Sequence, residues 1–131
     1  MKLEQQINEY LRDHDPSIDA LLEYQHMIGG YRFNLGEAAK KKHDEAIISE
    51  NNYKASFFAR KCELIEAGDS AASAEAKASK ELSDHRKEYK LLEAQYQGMK
   101  ISLQTSGDVL SAIQQRISVL KKEQETSKHQ V

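Results

Sequence analysis

The chain has one proline, six glycines, one cysteine and no tryptophan in 131 residues. So few prolines and glycines force few turns. Cys62 has no second cysteine to pair with, which excludes an internal disulfide and fits a reducing compartment. No segment approaches the roughly 18 to 20 uninterrupted apolar residues of a membrane span. The opening MKLEQQINEY lacks the apolar core of a signal peptide. The expectation is a soluble, cytoplasmic protein with no membrane partner. Hydrophobic residues are 39% of the chain and charged residues 31%, too polar a mixture for one thick core. What remains is dominated by Ala, Glu, Lys, Leu, Gln and Ser, the composition of long helices that each bury one stripe.

The net charge of −2 is unevenly spread. Residues 1 to 26 carry two cations and six acids, whereas residues 32 to 61 carry seven cations (Arg32, Lys40, Lys41, Lys42, Lys54, Arg60, Lys61) against four acids. A chain that is mildly acidic overall therefore has a local segment able to hold a polyanion.

Apolar periodicity supplies the architecture. From Tyr89 onward, Leu92, Tyr96, Met99, Leu103, Leu110, Ile113, Ile117 and Leu120 follow at steps of three and four, with polar Ser106 in the same series. This 3.5-residue repeat predicts a helix whose stripe packs along another helix. Upstream, Leu21, Tyr24, Ile28, Tyr31, Leu35 and Ala38 keep the spacing. Ile48, Ala55, Phe58, Cys62 and Ile65 resume it in a shifted register. The shift falls at KKKHDE, where a break or a change of winding is expected.

Gly68 is placed to end a helix in the left-handed conformation, and Asp69 or Ser70 to cap the next one. The predicted fold is all-α, a long antiparallel helical hairpin with coiled-coil-like heptads. An N-terminal segment occupies 1–16, the first arm 17–67, the turn 68–70, the second arm 71–125 and a tail 126–131. Two arms make a thin core, so the stripe Leu103, Leu110, Ile113, Ile117 and Leu120 is expected to assemble the chain into a homo-oligomer. In TSGD, residues 105 to 108, the succession of Thr, Ser and Gly marks a kink, a close approach of another backbone, or a tolerated helical glycine.

NNYKASFFARK, residues 51 to 61, concentrates three cations and three aromatics. With Ala55, Phe58, Cys62 and Ile65 facing inward, Tyr53 and Phe57 fall beside Lys54, Arg60 and Lys61. Flat rings next to cations suit single-stranded nucleic acid, with Lys40, Lys41 and Lys42 as further phosphate contacts. Equally, Phe57 can pack on a neighbouring helix while the cations solvate the outside.

Other chemistry is thin. His14, His26, His43, His85 and His129 show no i, i+4 pairing with one another or with Cys62, so no metal site is expected. Asp13-His14-Asp15 reads as a solvated loop or a weak cation site. No phosphate-binding glycine loop is present in the sequence. No cofactor, catalytic residue or enzymatic activity is expected.

The order MKLEQQINEYLRDHDPSIDALLEY, KKKHDEAI, YKASFFARK and YQGMKISLQTSGDVLSAIQQRISVLKK resembles the UvsY-type recombination mediators of tailed bacteriophages. Tyr96, Gly98, Ser106, Gly107, Leu110, Ala112, Ile113, Arg116 and Lys121 carry the most specific part of the likeness. The family's lysine-alanine-arginine motif, implicated in single-stranded DNA binding, is matched at Lys54 and Ala55. Ser56 stands in place of the arginine, with Phe57 and Phe58 earlier and Arg60 and Lys61 later than in the family pattern. The resemblance implies a ring-forming, single-stranded-DNA-binding protein. Its implied partners are a RecA-like recombinase and a single-strand-binding protein, in the cytoplasm of a phage host. Such a mediator makes and breaks no bond; it stabilises a strand conformation that the recombinase accepts. The rival expectation is a structural or adaptor coiled-coil protein, such as a virion or scaffold component, without a nucleic-acid role.

Overall fold

The computed structural model describes residues 3–129. Met1, Lys2, Gln130 and Val131, parts of the expected N-terminal segment and tail, lie outside the described residues, as does the side chain of His129. The fold is all-α, and helix pairs along the chain make the expected hairpin. The elements are α1 (Leu3–Asp13), α2 (Ile18–Glu66), α3 (Ala71–Glu81) and α4 (Ser83–His129). They form two compact units, one from residues 1–37 with 99–131 and one from 38–98.

The first unit packs α1 and the start of α2 against the C-terminal part of α4. Helix α1 lies in the N-terminal segment 1–16, ahead of the two expected arms. Leu3, Ile7 and Leu11 recur at the helical i, i+4 spacing, so a single face can be buried. Ile7 joins Leu21, Ile28, Val109, Ile113 and Ile117 in the core, with Leu110 and Leu120 packed against them. The stripe Leu110, Ile113, Ile117 and Leu120 is therefore covered within the chain, with half-buried Leu103 on the same side of α4. It does not require a second copy, because α1 adds the third helix that a two-armed reading lacks.

Polar groups fix the chain reversal between α1 and α2. Pro16 cannot continue a helix, and Ser17 caps α2, its Oγ accepting from the Ala20 N–H at 3.2 Å. Arg116 donates to the Leu11 carbonyl at 3.0 Å and lies 3.5 Å from Asp15. The His14 ring stacks on Tyr10, with centroids 4.2 Å apart. Asp13-His14-Asp15 thus serves the reversal. Within the bundle, burial first and then the neighbouring Glu4 carboxylate, which accepts its hydrogen bond, hold the Tyr31 phenol above its ordinary pKa.

At TSGD the helix does not break. Thr105 and Ser106 turn their hydroxyls back to donate to the Ile101 and Leu103 carbonyls, at 3.0 and 3.1 Å. Ser106 is fully buried, and the close neighbour at Gly107 is the Arg32 side chain rather than a backbone.

In the second unit α2 runs without interruption through KKKHDE. The residues facing inward are Ala39, Ala46 and Leu64, with Tyr53 and Phe57 partly buried beside them. This corrects the expected register: Ile48 is 60% exposed and Phe58 69%, while Ala55 and Ile65 also face solvent and Cys62 is half-buried. The physical reason is helical drift. An α-helix turns once per 3.6 residues, so its buried face slips by about 20° per heptad against a 3.5 repeat. Positions 21, 39 and 57, like 28, 46 and 64, are spaced by five ideal turns and need no break.

Helix α2 ends as expected. Gly68 takes φ +110°, its N–H donating to the Ile65 carbonyl and that of Asp69 to the Leu64 carbonyl, both at 3.0 Å, a Schellman arrangement. Ser70, not Asp69, caps α3 by accepting from the Ser73 N–H. Ala74 and Ala78 then bring α3 close against Leu64 and Phe57. The second arm, expected as one helix from 71, is interrupted at Leu82. The hydrogen bonds Leu82 to Ala78 and Arg86 to Leu82 persist across it, which makes it a local distortion rather than a turn.

Candidate nucleic-acid interface

The residues expected to form a basic, aromatic face all lie on α2 in the second unit. They divide between the inside and the outside of that unit. Tyr53 and Phe57 are one turn apart, with ring centroids 6.0 Å apart. Tyr53 also meets the buried Tyr89 of α4 at 5.3 Å, and Phe57 packs on the Leu64, Ala74 and Ala78 cluster. Both rings are thus engaged in internal packing. The exposed aromatic of the stretch is Phe58, which sequence reasoning put in the core.

The cations are largely engaged by acids of the same unit. Arg60 reaches Glu81 of α3 through two hydrogen bonds, Nε to Oε2 at 2.6 Å and Nη2 to Oε1 at 3.1 Å. Its Nη1 also donates to Glu63 at 3.0 Å. These bonds push the guanidinium pKa further up and, in return, hold the Glu81 carboxyl below its ordinary range. Lys54 pairs with Glu50 at 2.9 Å, and that hydrogen bond raises the ammonium pKa. Lys61 stands 4.0 Å from Glu75. In the KKKH run, Lys42 pairs with Glu45 at 3.3 Å while the His43 ring lies 4.4 Å from Tyr96. Among the described residues Lys40 and Lys41 have no ion-pair partner, and both are exposed.

These contacts differ in strength. The Lys54–Glu50 pair is exposed and of i, i+4 type, weak and screened by solvent, so a polyanion can compete for Lys54. The forked Arg60–Glu81 pair fixes both side chains in one geometry and ties α2 to α3. The expected face therefore reduces to Lys40, Lys41 and Lys54 as accessible cations, with Phe58 as the accessible ring. Beside Tyr53 runs an open groove of mixed character, lined by Ile48, Asn52, Ser56, His85, Glu88 and Leu92.

Arg32, also counted among the basic residues, lies in the other unit. It donates to the Leu103 carbonyl at 3.4 Å, and its Nε is buried with no hydrogen-bond partner among the described residues. Nothing in the spacing of the sequence flagged this role. The described residues contain no group of three or more His, Cys, Asp or Glu placed to hold a metal ion, and no helix among them is long and apolar enough to cross a membrane. No known protein family, curated protein or solved structure matches the chain.

Proposed function

We propose that the protein works as a helical assembly component, a structural or adaptor coiled-coil protein that acts by docking through its long helices. One observation carries this reading. In the second unit the outward side of α2 exposes Ile47, Ile48, Phe58 and Ile65 together. Large apolar side chains gathered on one exposed side mark an interaction surface, whereas isolated ones do not.

A second reading, a single-stranded-DNA-binding recombination mediator acting with a RecA-like recombinase and a single-strand-binding protein, is favoured by Lys40 and Lys41. They stand exposed and without an ion-pair partner among the described residues at the start of the same unit, with Lys54 about four turns further along the same helix. The resemblance to the UvsY-type mediators supports it as well. Against it stand the internal packing of Tyr53 and Phe57 and the engagement of Arg60, which remove most of the stacking platform.

Binding of a labelled single strand and of a duplex, followed over a salt series, separates the two readings. The assembly reading expects no single-strand preference at low salt. A mediator binds the single strand preferentially, and its affinity falls with a log-salt slope of about 0.7 per phosphate contact. In that case Lys40→Ala with Lys41→Ala flattens the slope, and the assembly reading gives way.

A further inference from the structure

Within residues 38–66, α2 has two apolar faces. The inner one, Ala39, Ala46, Tyr53, Phe57 and Leu64, is used by α3 and α4 of the same unit. The outer one consists of Ile48, Asn51, Ala55, Phe58, Cys62 and Ile65, at successive steps of three, four, three, four and three. That alternation is the a/d pattern of a coiled-coil seam. Tyr53 and Phe57 fall at the f and c positions of this repeat, on the far side of the helix from the seam. Nothing described covers it: Ile48, Asn51, Ala55, Phe58 and Ile65 are exposed. A seam of this length runs about 27 Å along a helix already held by its own unit, so pairing through it carries little folding cost.

We propose that a second copy of this chain occupies the seam, with the two α2 helices parallel and in register. The inference rests on the assembly reading above and gives its surface, partner and orientation. The same residues on both copies form an isologous two-fold contact. In parallel register Asn51 of each copy meets Asn51 of the other, where the two amides satisfy each other, and a single polar residue in an apolar seam selects that register. The antiparallel alternative that sets Ala55 against Phe58 brings Asn51 opposite Cys62 of the second copy instead.

The flanking charges choose the same orientation. Lys54 and Lys61 line one side of the seam; Asn52, Ala59 and Glu66 line the other. Parallel helices bring Lys61 of one copy to Glu66 of the second, five positions along, and do so twice by symmetry. Antiparallel helices bring Lys54 to Lys61 of the second copy, a repulsion that occurs twice by symmetry. Among the described residues the ion pair of Lys61 is the long contact to Glu75, which leaves it able to turn to Glu66 of the second copy.

The test uses the full chain in sedimentation equilibrium over a concentration series. The wild type is expected to show concentration-dependent dimerisation. F58D is expected to shift the dimer toward monomer at least tenfold without lowering helicity, because the Phe58 ring stands largely in solvent in the single chain. K61E is expected to weaken the dimer and K61E with E66K to restore it; a tighter K61E dimer would establish the antiparallel arrangement and overturn the proposal. Copper-phenanthroline oxidation in air should link the wild-type dimer through Cys62, since parallel register sets the two thiols face to face. The absence of that cross-link in a dimeric sample also overturns it. An oligomer unchanged by F58D sinks the seam while leaving the assembly reading standing on another surface. A wild type monomeric at every concentration sinks self-association through this face altogether.

Discussion

The Arg32 guanidinium on α2 lies against Gly107 on α4, close enough that a Cβ built on Gly107 would stand 3.1 Å from Arg32 Nη2 and 3.4 Å from Cζ. Ser106, fully buried beside it, is the polar member of an otherwise apolar stripe. The two small residues make room for a planar cation whose Nη2 donates to the Leu103 carbonyl. What reads in the sequence as a weakness of the helix is a seat for a side chain 75 positions earlier in the chain.

Gly107→Ala separates helix propensity from this contact. In an open helix interior the change stabilises by roughly 0.5 to 1 kcal/mol. Here the added methyl displaces Arg32 by a few tenths of an ångström and strains its bond to Leu103. The expected outcome is little or no gain in the wild type and the full gain in an Arg32→Ala background, read from a double-mutant cycle of melting temperatures. Equal gains in both backgrounds would show that the contact has no energetic consequence.

Gly68→Ala and Gly36→Ala should move stability in opposite directions. Gly68 holds φ +110°, where a side chain costs about 1 to 2 kcal/mol, and its N–H closes the end of α2. Gly36 is helical with nothing within 4 Å of a built Cβ, so alanine there stabilises by roughly 0.5 to 1 kcal/mol. Chemical denaturation of the two variants checks both signs. A stabilised Gly68→Ala would mean that the turn does not require the left-handed residue.

The sequence made some of these features plain and hid others for physical reasons. On α4, steps of three and four leave one face available, and Tyr89, Leu92, Leu103, Ile113 and Ile117 lie on the buried or half-buried side as expected. On α2 two faces share helical spacing, and the larger side chains marked the wrong one. Its inner face is built on Ala39 and Ala46, too small to stand out by hydropathy, whereas the outer face carries Ile48, Phe58 and Ile65. Gly68 and Ser70 were legible because backbone geometry dictates residue type at a helix end. Helix α1 is short, and its value comes from a groove made by residues far along the chain. The partners of Arg32, Arg60 and Arg116 are likewise long-range, and no local pattern announces them.

Ile113→Asp distinguishes an internal core from an interface between copies. Ile113 is fully buried within its own unit, among Ile7, Leu21 and Ile28. An unpaired carboxylate there costs several kcal/mol. The expected outcome is loss of helicity and a large fall in melting temperature, the same at low and high protein concentration. A folded, fully helical variant that only loses mass in light scattering would place Ile113 between copies instead.

The Arg60–Glu81 pair gives the second unit a stability component with a definite pH signature. The hydrogen bond from Arg60 holds the Glu81 carboxyl below its ordinary value, against an opposing effect of partial burial. A lowered folded-state pKa means that the unfolded chain takes up the proton first as pH falls. The pair's contribution is therefore complete above the ordinary glutamate value of about 4.3 and is lost as pH drops through the lowered one. Toward alkaline pH it persists, because the same bonds raise the Arg60 pKa further. Both side chains remain partly exposed, so the effect is modest and screened by salt. Melting temperatures of the wild type and Glu81→Gln should differ most at about pH 6 to 8, converge at about pH 3, and converge at neutral pH when salt is raised. A difference that stays constant down to low pH would assign the role of Glu81 to packing against Arg60 rather than to its charge.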